Sequence, residues 1–267
     1  MRRRLSTPAV RLLKRTEYDK AMAAYDDKFY GDLDETAAPS ARRIAPMVMA
    51  LTKVESVIDI GCGDASWLSV FAELGVPKIQ GVDGHWIEDS AIKIPLEYFQ
   101  RRHLDQDLNI DGQFDVAMSV EVAEHLPVDA APAFVTALCR LAPVVLFSAA
   151  IPHQGGLHHY NEQWPGYWAA LFAGHGYRAI DVLRDEIWDD PNVTWWYKQN
   201  LVLYASDEAL AANELLAAAR ARSLEPPRAL VHPEKYLQAV KQANPSFGRS
   251  LRLVGASLKR ALSKSRR

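Results

Sequence analysis

Short apolar runs alternate with stretches of helical periodicity along most of this chain. Residues 56–60, SVIDI, are apolar and rich in β-branched side chains, which is the pattern of a buried strand. They run without a spacer into Gly61, Cys62 and Gly63, after which Trp67, Leu68, Phe71 and Leu74 recur at helical spacing. Residues 78–82 predict a second strand and 98–104 a third, separated by a long loop, GVDGHWIEDSAIKIP. The run 114–120 predicts a fourth strand, apolar throughout and so covered on both faces. Residues 143–151, PVVLFSAAI, predict a fifth and central strand, and 177–183 and 199–205 the last two. Helical patterns fall at 41–51, at 131–141, in the aromatic stretch after a glycine loop near 155, and in the alanine-rich 207–223. The earlier stretch EYDKAMAAYDDKFYGDL also reads as a helix, either capping a ligand pocket or packing on the sheet edge. Strands and helices alternating at this cadence predict an α/β fold with a doubly wound sheet. The expected partition is an N-terminal basic segment and helix over 1–40, the main domain over 41–206, and a helical extension with a basic tail over 207–267.

Charge changes this picture at the two ends. The formal net charge is -2, yet residues 1–15 carry six Lys or Arg and residues 249–267 carry seven, with no acid in either segment. The body between holds 18 bases against 33 acids, which argues against a broad nucleic-acid surface. The basic ends are candidates for contact with an anionic membrane surface or a glycosyltransferase partner, or are solvated termini. Two cysteines, Cys62 and Cys139, provide neither a disulfide framework nor metal-ligand spacing. No run approaches the ~18 apolar residues of a membrane span and no apolar segment follows the basic start, so a cytoplasmic location is expected, peripheral at the inner membrane face if the basic ends engage lipid.

The strand-to-glycine turn is where ligand chemistry concentrates. Glycine there lets backbone approach a ligand lying across the strand end. A dinucleotide fingerprint would place a third glycine or alanine where this chain has Ser66, and instead an acid, Asp59, stands two residues before Gly61. A second acid, Asp83, closes the next apolar run. DIGCG with Asp83 resembles the first motifs of class I S-adenosylmethionine-dependent methyltransferases. The resemblance implies a seven-stranded, mostly parallel Rossmann-like sheet with an antiparallel last strand. It also implies a cofactor site of Asp59, Gly61, Cys62, Gly63, Asp83, Gly84 and Ser119, with Asp105, rather than Asp107, facing the adenine amine.

After the fourth strand comes EVAEH, which places Glu121, Glu124 and His125 on the carboxyl edge of the sheet. A helical turn there would set both carboxylates on one face. Small-RNA 2′-O-methyltransferases of the Hen1 type and some ubiquinone-pathway enzymes have a similar E-x-x-E-H with a later histidine. That likeness implies Mg²⁺ or Mn²⁺ held by Glu121, Glu124, His125 and His159. Similar sequences also occur in enzymes that use no metal, where the glutamate caps a helix. The later stretch LHHYNEQWPGYW resembles a branch of bacterial methyltransferases associated with glycan assembly. It adds His158 and His159 as candidate general bases, beside Glu121 as a catalytic carboxylate, and Asn161 and Gln163 as acceptor contacts. Trp195 and Trp196, in the loop DEIWDDPNVTWWYKQN, suit stacking on a sugar or aromatic substrate, or pack the loop on its own aromatics.

The expectation is an S-adenosylmethionine-dependent O-methyltransferase acting on a sugar or oligosaccharide hydroxyl. A small aromatic or quinone acceptor ranks next and an RNA 2′-hydroxyl lower, since the FEW-type stretch of the RNA enzymes is NEQW here. A dinucleotide oxidoreductase and a cofactor-binding scaffold without activity are the readings from other classes.

Overall fold

The computed structural model describes residues 27–105, 108–244, 248, 252 and 254–256. Its contacts divide the chain into two units, Met1–Leu230 and Val231–Arg267. The first is built on a seven-stranded sheet with the order β3-β2-β1-β4-β5-β7-β6. The strands are β1 Ser56–Ile60, β2 Lys78–Asp83, β3 Phe99–Arg101, β4 Val116–Val120, β5 Val144–Ser148, β6 Tyr177–Ile180 and β7 Val202–Ser206. All neighbouring pairs from β3 to β5 are parallel, whereas β7 runs antiparallel to both β5 and β6. This is the class I methyltransferase arrangement that the motifs implied.

Helices cover both faces, and strand alternation feeds both. Val57, Val116, Met118, Val144 and Leu146 join the core beneath α1 Asp27–Leu51, α2 Ser66–Glu73, α5 Leu183–Ile187, α6 Trp195–Asn200 and α8 Glu214–Ala221. Ile58, Ile60, Ala117, Val145 and Phe147 face α3 Ala131–Leu141 and α4 Pro165–Ala173. On that second face Phe147 packs edge-on against Phe172 at 5.4 Å between centroids, and Phe172 stacks on Tyr204 at 4.0 Å. With apolar side chains leaving both sides of each strand, only a doubly covered sheet removes them from water.

Several expected boundaries are corrected. The third strand is three residues, not seven: Leu96–Tyr98 is a 3-10 turn, and beyond Arg101 the polar run RRH offers no apolar side chain to bury at an edge. The middle of the sheet is β4, with three strands on either side, and β5 lies next to it. The fourth to seventh strands are each shorter than their apolar runs, because residues such as Ala149, Ala150 and Ile151 remain buried after the ladder ends. The two N-terminal helical stretches are joined in α1, which continues through Pro39 and Pro46. The boundary expected after residue 40 therefore falls inside a continuous helix, whose Ala37, Ala41, Ile44, Ala45 and Val48 are buried on the sheet. Tyr18 and Tyr25 lie outside the described residues, as do residues 1–15 and most of 249–267. The tryptophan stretch is two short helices, α5 and α6, rather than a loop. After β7 come α7 Asp207–Ala212 and α8, separated at Asn213, whose side chain accepts from Leu215 N and Leu216 N. The second unit contains α9 Pro233–Ala243. No helix among the described residues is long and apolar enough to cross a membrane.

Candidate active site

The carboxyl ends of β1, β2, β4 and β5 open into one cavity of about 350 Å³, lined by residues from both motif regions. At its first end Gly61 N and Cys62 N donate to Val82 O at 2.7 and 3.2 Å, which folds the turn back onto β2. Gly61 has φ +84° and Gly63 φ +56°, conformations that disfavour a side chain. A Cβ on Gly61 would meet both Val122 methyls at 2.5 Å, whereas one on Gly63 would enter open space. Asp83 spans the turn: its Oδ2 accepts from Gly63 N at 2.7 Å and its Oδ1 from Gly84 N at 2.6 Å. Burial nevertheless pushes the Asp83 carboxyl up to about 6, outweighing these two donors and the Arg101 charge. Asp59 is 3% exposed with an unpartnered Oδ1, and burial, then the charges of Asp83 and Asp64, hold it well above the usual carboxylate range. Burial and the same neighbouring acids likewise push the Cys62 thiol up.

At the other end, Glu121 follows β4 in a left-handed conformation, φ +56°. Its N–H reaches Ser148 O and Oγ, each at 3.0 Å. Its carboxylate accepts from Asn200 Nδ2 at 3.0 and 3.2 Å and from Gln154 Nε2 at 3.0 Å. Gln154 Oε1 in turn accepts from Gln199 Nε2 and Asn200 Nδ2, both at 2.9 Å. A 3-10 turn, Ala123–His125, then carries Glu124, which is fully buried beside Glu121. Burial and the Glu121 charge raise Glu124 well above its ordinary value, while burial, eased by the amide donors, raises Glu121. His125 Nδ1 lies 3.3 Å from His158 O, and His159 Nδ1 lies 3.0 Å from Glu162 Oε1. Glu162 is itself fixed by the N–H groups of His153 and Gly155, both at 2.7 Å. Burial, followed by the His159 charge, lowers His125 to about 3, so its imidazole is neutral. Glu124, His125 and His159 each offer a ligand atom, and these atoms lie within 4.8 Å of one another.

A family model described as a methyltransferase domain matches residues 22–183, more than half of the chain. The chain belongs to the methyltransferase-domain family. Among curated proteins none matches it significantly. Solved methyltransferases share the fold. The Burkholderia thailandensis 1,6-didemethyltoxoflavin-N1-methyltransferase, with S-adenosylhomocysteine bound, is 19% identical with a TM-score of 0.53, covering 74% of this chain and 93% of that one. Human N-acetylserotonin methyltransferase, in complex with SAM, is 12% identical (TM-score 0.48; 71% and 56% covered), and TnmH is 16% identical (TM-score 0.47; 69% and 60% covered). The chain thus spans less than two thirds of the length of these last two.

In this methyltransferase-family domain the motif residues divide by position. Asp59, Gly61, Cys62, Gly63, Asp83, Glu121, Glu124, His125, His159, Trp195 and Trp196 all line the one cavity. Ser119 does not: it is fully buried and its Oγ donates to Ile60 O at 2.8 Å, tying β4 to β1. Gly84 lies beneath the Trp86 ring, and it is Trp86 that reaches the cavity. Asp105 is outside the lining and keeps a buried, unpartnered Oδ1, while its neighbour Leu104 lines the wall. Asp107 lies outside the described residues. His158 contributes its carbonyl to His125, and its ring Nδ1 meets Tyr160 Oη at 3.1 Å. Asn161 N donates to Glu124 O and its Oδ1 accepts from Gln163 Nε2, so this pair supports the histidine loop from behind. Glu121 is not one of the three residues whose ligand atoms converge, although its carboxyl neighbours that of Glu124; a left-handed bend and a 3-10 turn replace the regular helix assumed from i, i+3 spacing. The amide clamp of Gln154, Gln199 and Asn200 was not anticipated. Its one sequence signal is two adjacent amides just before an apolar strand, where such residues are costly to bury unpaired. Asp64, salt-bridged to Lys93 at 3.0 Å, is a further unanticipated lining residue.

Proposed function

We propose that this methyltransferase uses S-adenosylmethionine to methylate a hydroxyl of a sugar or glycan-type acceptor, with a divalent cation, Mg²⁺ or Mn²⁺, held by Glu124, His125 and His159. The observation that carries the cation is the convergence of the fully buried Glu124 carboxyl with two imidazoles, their ligand atoms lying within 4.8 Å of one another. An ionised carboxylate is costly to bury without an opposite charge, and a cation is the partner this donor set fits. Each imidazole is also prepared as a ligand. The Nδ1 of His125 is directed to a carbonyl and that of His159 to a carboxylate, the arrangement that sets tautomer and ring orientation in metal sites.

Asp59, Gly61, Cys62 and Gly63 then form the cofactor cradle. Asp83 presents its carboxylate to the ribose hydroxyls, and Trp86, seated on Gly84, walls the adenine side. When bound, the cofactor supplies an electrophilic methyl group and the cation acidifies the acceptor hydroxyl. The protein's task is placement: Trp195 and Trp196 flank the acceptor ring, and Glu121, fixed by Asn200 and Gln154, receives a hydrogen bond from it. The His159–Glu162 pair favours a second reading without metal, in which His159 Nε2 takes the hydroxyl proton while Glu162 steadies the imidazolium.

Calorimetric titration of the purified chain with S-adenosylmethionine, with EDTA or with added Mn²⁺ or Mg²⁺, tests both while transfer of labelled methyl to neutral saccharides is followed. Metal-dependent turnover supports the first reading, and turnover undiminished by EDTA selects His159 as base. Absence of cofactor binding refutes the proposal.

A further inference from the structure

The helix of the second unit exposes an apolar stripe. Every residue of α9 from Tyr236 to Ala243 is exposed, with Tyr236, Leu237 and Val240 at 61%, 54% and 37%. Helical spacing puts these three on one side, with Gln238 and Gln242 opposite and Lys241 at the flank. A helix of 11 residues is marginal in water by itself and gains most from burying such a stripe. Among the described residues beyond it, Val254 lies in a further helical stretch, 254–256, and is 57% exposed. The sequence continues the pattern: Phe247, Leu251, Val254, Leu258 and Leu262 recur three or four apart, and Arg249, Arg252, Lys259 and Arg260 fall between them. Most of these positions lie outside the described residues.

Charge selects what can cover this stripe. Residues 231–267 carry nine Lys or Arg and a single acid, Glu234, a net charge of +8 with histidine neutral. A second copy would bring the same charge against it, and three apolar side chains fall far short of the roughly 800 Å² per partner that a stable protein interface buries. An interfacial helix requires less: a narrow apolar stripe sunk among the upper acyl chains, with basic side chains over anionic headgroups. Tyr236 suits that boundary, where its ring is apolar and its hydroxyl stays wet. We propose that the Tyr236, Leu237 and Val240 face of α9 docks on an anionic lipid bilayer, with Lys241 and the basic residues that follow it set against the lipid phosphates. The assignment does not depend on which cofactor or acceptor the first unit takes.

The test is co-sedimentation of the full chain with sucrose-loaded vesicles, either of phosphatidylcholine alone or with about 30% phosphatidylglycerol, at low and at high salt. The chain is expected to bind the anionic vesicles at least tenfold more tightly than the neutral ones, and less tightly as salt is raised. Replacing the stripe in Leu237→Ser with Val240→Ser should weaken binding roughly 30-fold. Removing two charges in Lys241→Gln with Arg252→Gln should weaken it roughly 20-fold. All four side chains are exposed, so both double variants should unfold in urea as the unmodified chain does. Equal vesicle affinity of the unmodified chain and the Leu237→Ser, Val240→Ser variant overturns the proposal, leaving the basic ends as the whole attraction. Absence of binding to anionic vesicles also overturns it, and a dimer in sedimentation equilibrium that the same variant dissociates would give the face to a second copy instead.

Discussion

Two glycines of one turn should separate stability from cofactor binding when each is replaced by alanine. At Gly61 the new methyl meets two constraints at once. The backbone sits at φ +84°, which costs an L-residue about 1–2 kcal/mol, and the Cβ would lie 2.5 Å from both Val122 methyls. Val122 is buried in the second core, so it can yield only by disturbing packing, at roughly 1–3 kcal/mol. Gly61→Ala should therefore lose about 2–5 kcal/mol, or very roughly 5–20 °C in Tm for a domain of this size. At Gly63 the backbone is again left-handed but the added methyl has nothing within 4 Å, so Gly63→Ala should cost only the backbone fraction, about 1–2 kcal/mol. That methyl projects into the cavity, however, where the cofactor backbone approach is expected, and S-adenosylmethionine affinity should fall at least tenfold. Urea unfolding monitored by circular dichroism, paired with calorimetric titration of each variant, reads both effects. Adding Val122→Ala to Gly61→Ala should recover part of the lost stability, since it removes the clash and leaves the φ strain. If Gly61→Ala unfolds within 1 kcal/mol of the unmodified chain, or Gly63→Ala binds cofactor normally, the account of this turn is wrong.

Two further expectations follow from the buried acids. Asp83 has a folded carboxyl raised to about 6, so the folded protein holds its proton more tightly than the unfolded chain does. Stability from this group is thus present below the ordinary carboxylate range and is lost as pH rises from about 4 to about 6, whereas S-adenosylmethionine binding, which needs the ionised acceptor, should strengthen over the same rise. Calorimetry between pH 5 and 8 checks this, and Asp83→Asn should give weak binding with a flat profile; a flat profile in the unmodified chain would refute it. Burial and the Glu121 charge raise the Glu124 carboxyl well above its ordinary value, so Mn²⁺, which would bind the ionised carboxylate, should bind more weakly as pH is lowered. Calorimetric titration with Mn²⁺ at several pH values checks this, and an affinity independent of pH would show that Glu124 is not a ligand.

Much of the fold was readable because its code is local. DIGCG announces strand, turn and helix within eight residues, and each buried strand is an uninterrupted apolar run. The shared cavity of Asp59, Asp83, Glu124, His125 and His159 followed from topology, since residues at the carboxyl ends of parallel strands are neighbours in space. Other features resisted for equally physical reasons. α1 passes through Pro39 because tertiary burial of Ala37, Ala41 and Ile44 overrides a local helix-breaking signal. Ser119 and Asn161 carry polar groups suited to ligands, but the structure directs them to the backbone and to a neighbouring amide, a choice that composition does not encode. The Glu121 clamp joins residues 121, 154, 199 and 200, and nothing in the spacing of those positions reports that they meet.

The six residues of α6 carry an unusual double duty. Trp195 and Trp196 at its start face the cavity, and Asn200 at its end grips Glu121. A shift of this helix to admit a bulkier acceptor would drag the carboxylate with it. In the proposed function, acceptor scope and turnover are then mechanically linked on this side of the sheet. Laboratory evolution toward new acceptors should accordingly stall on substitutions within 195–200 alone, and should advance through paired changes that repair the grip at Gln154 as the aromatic wall moves.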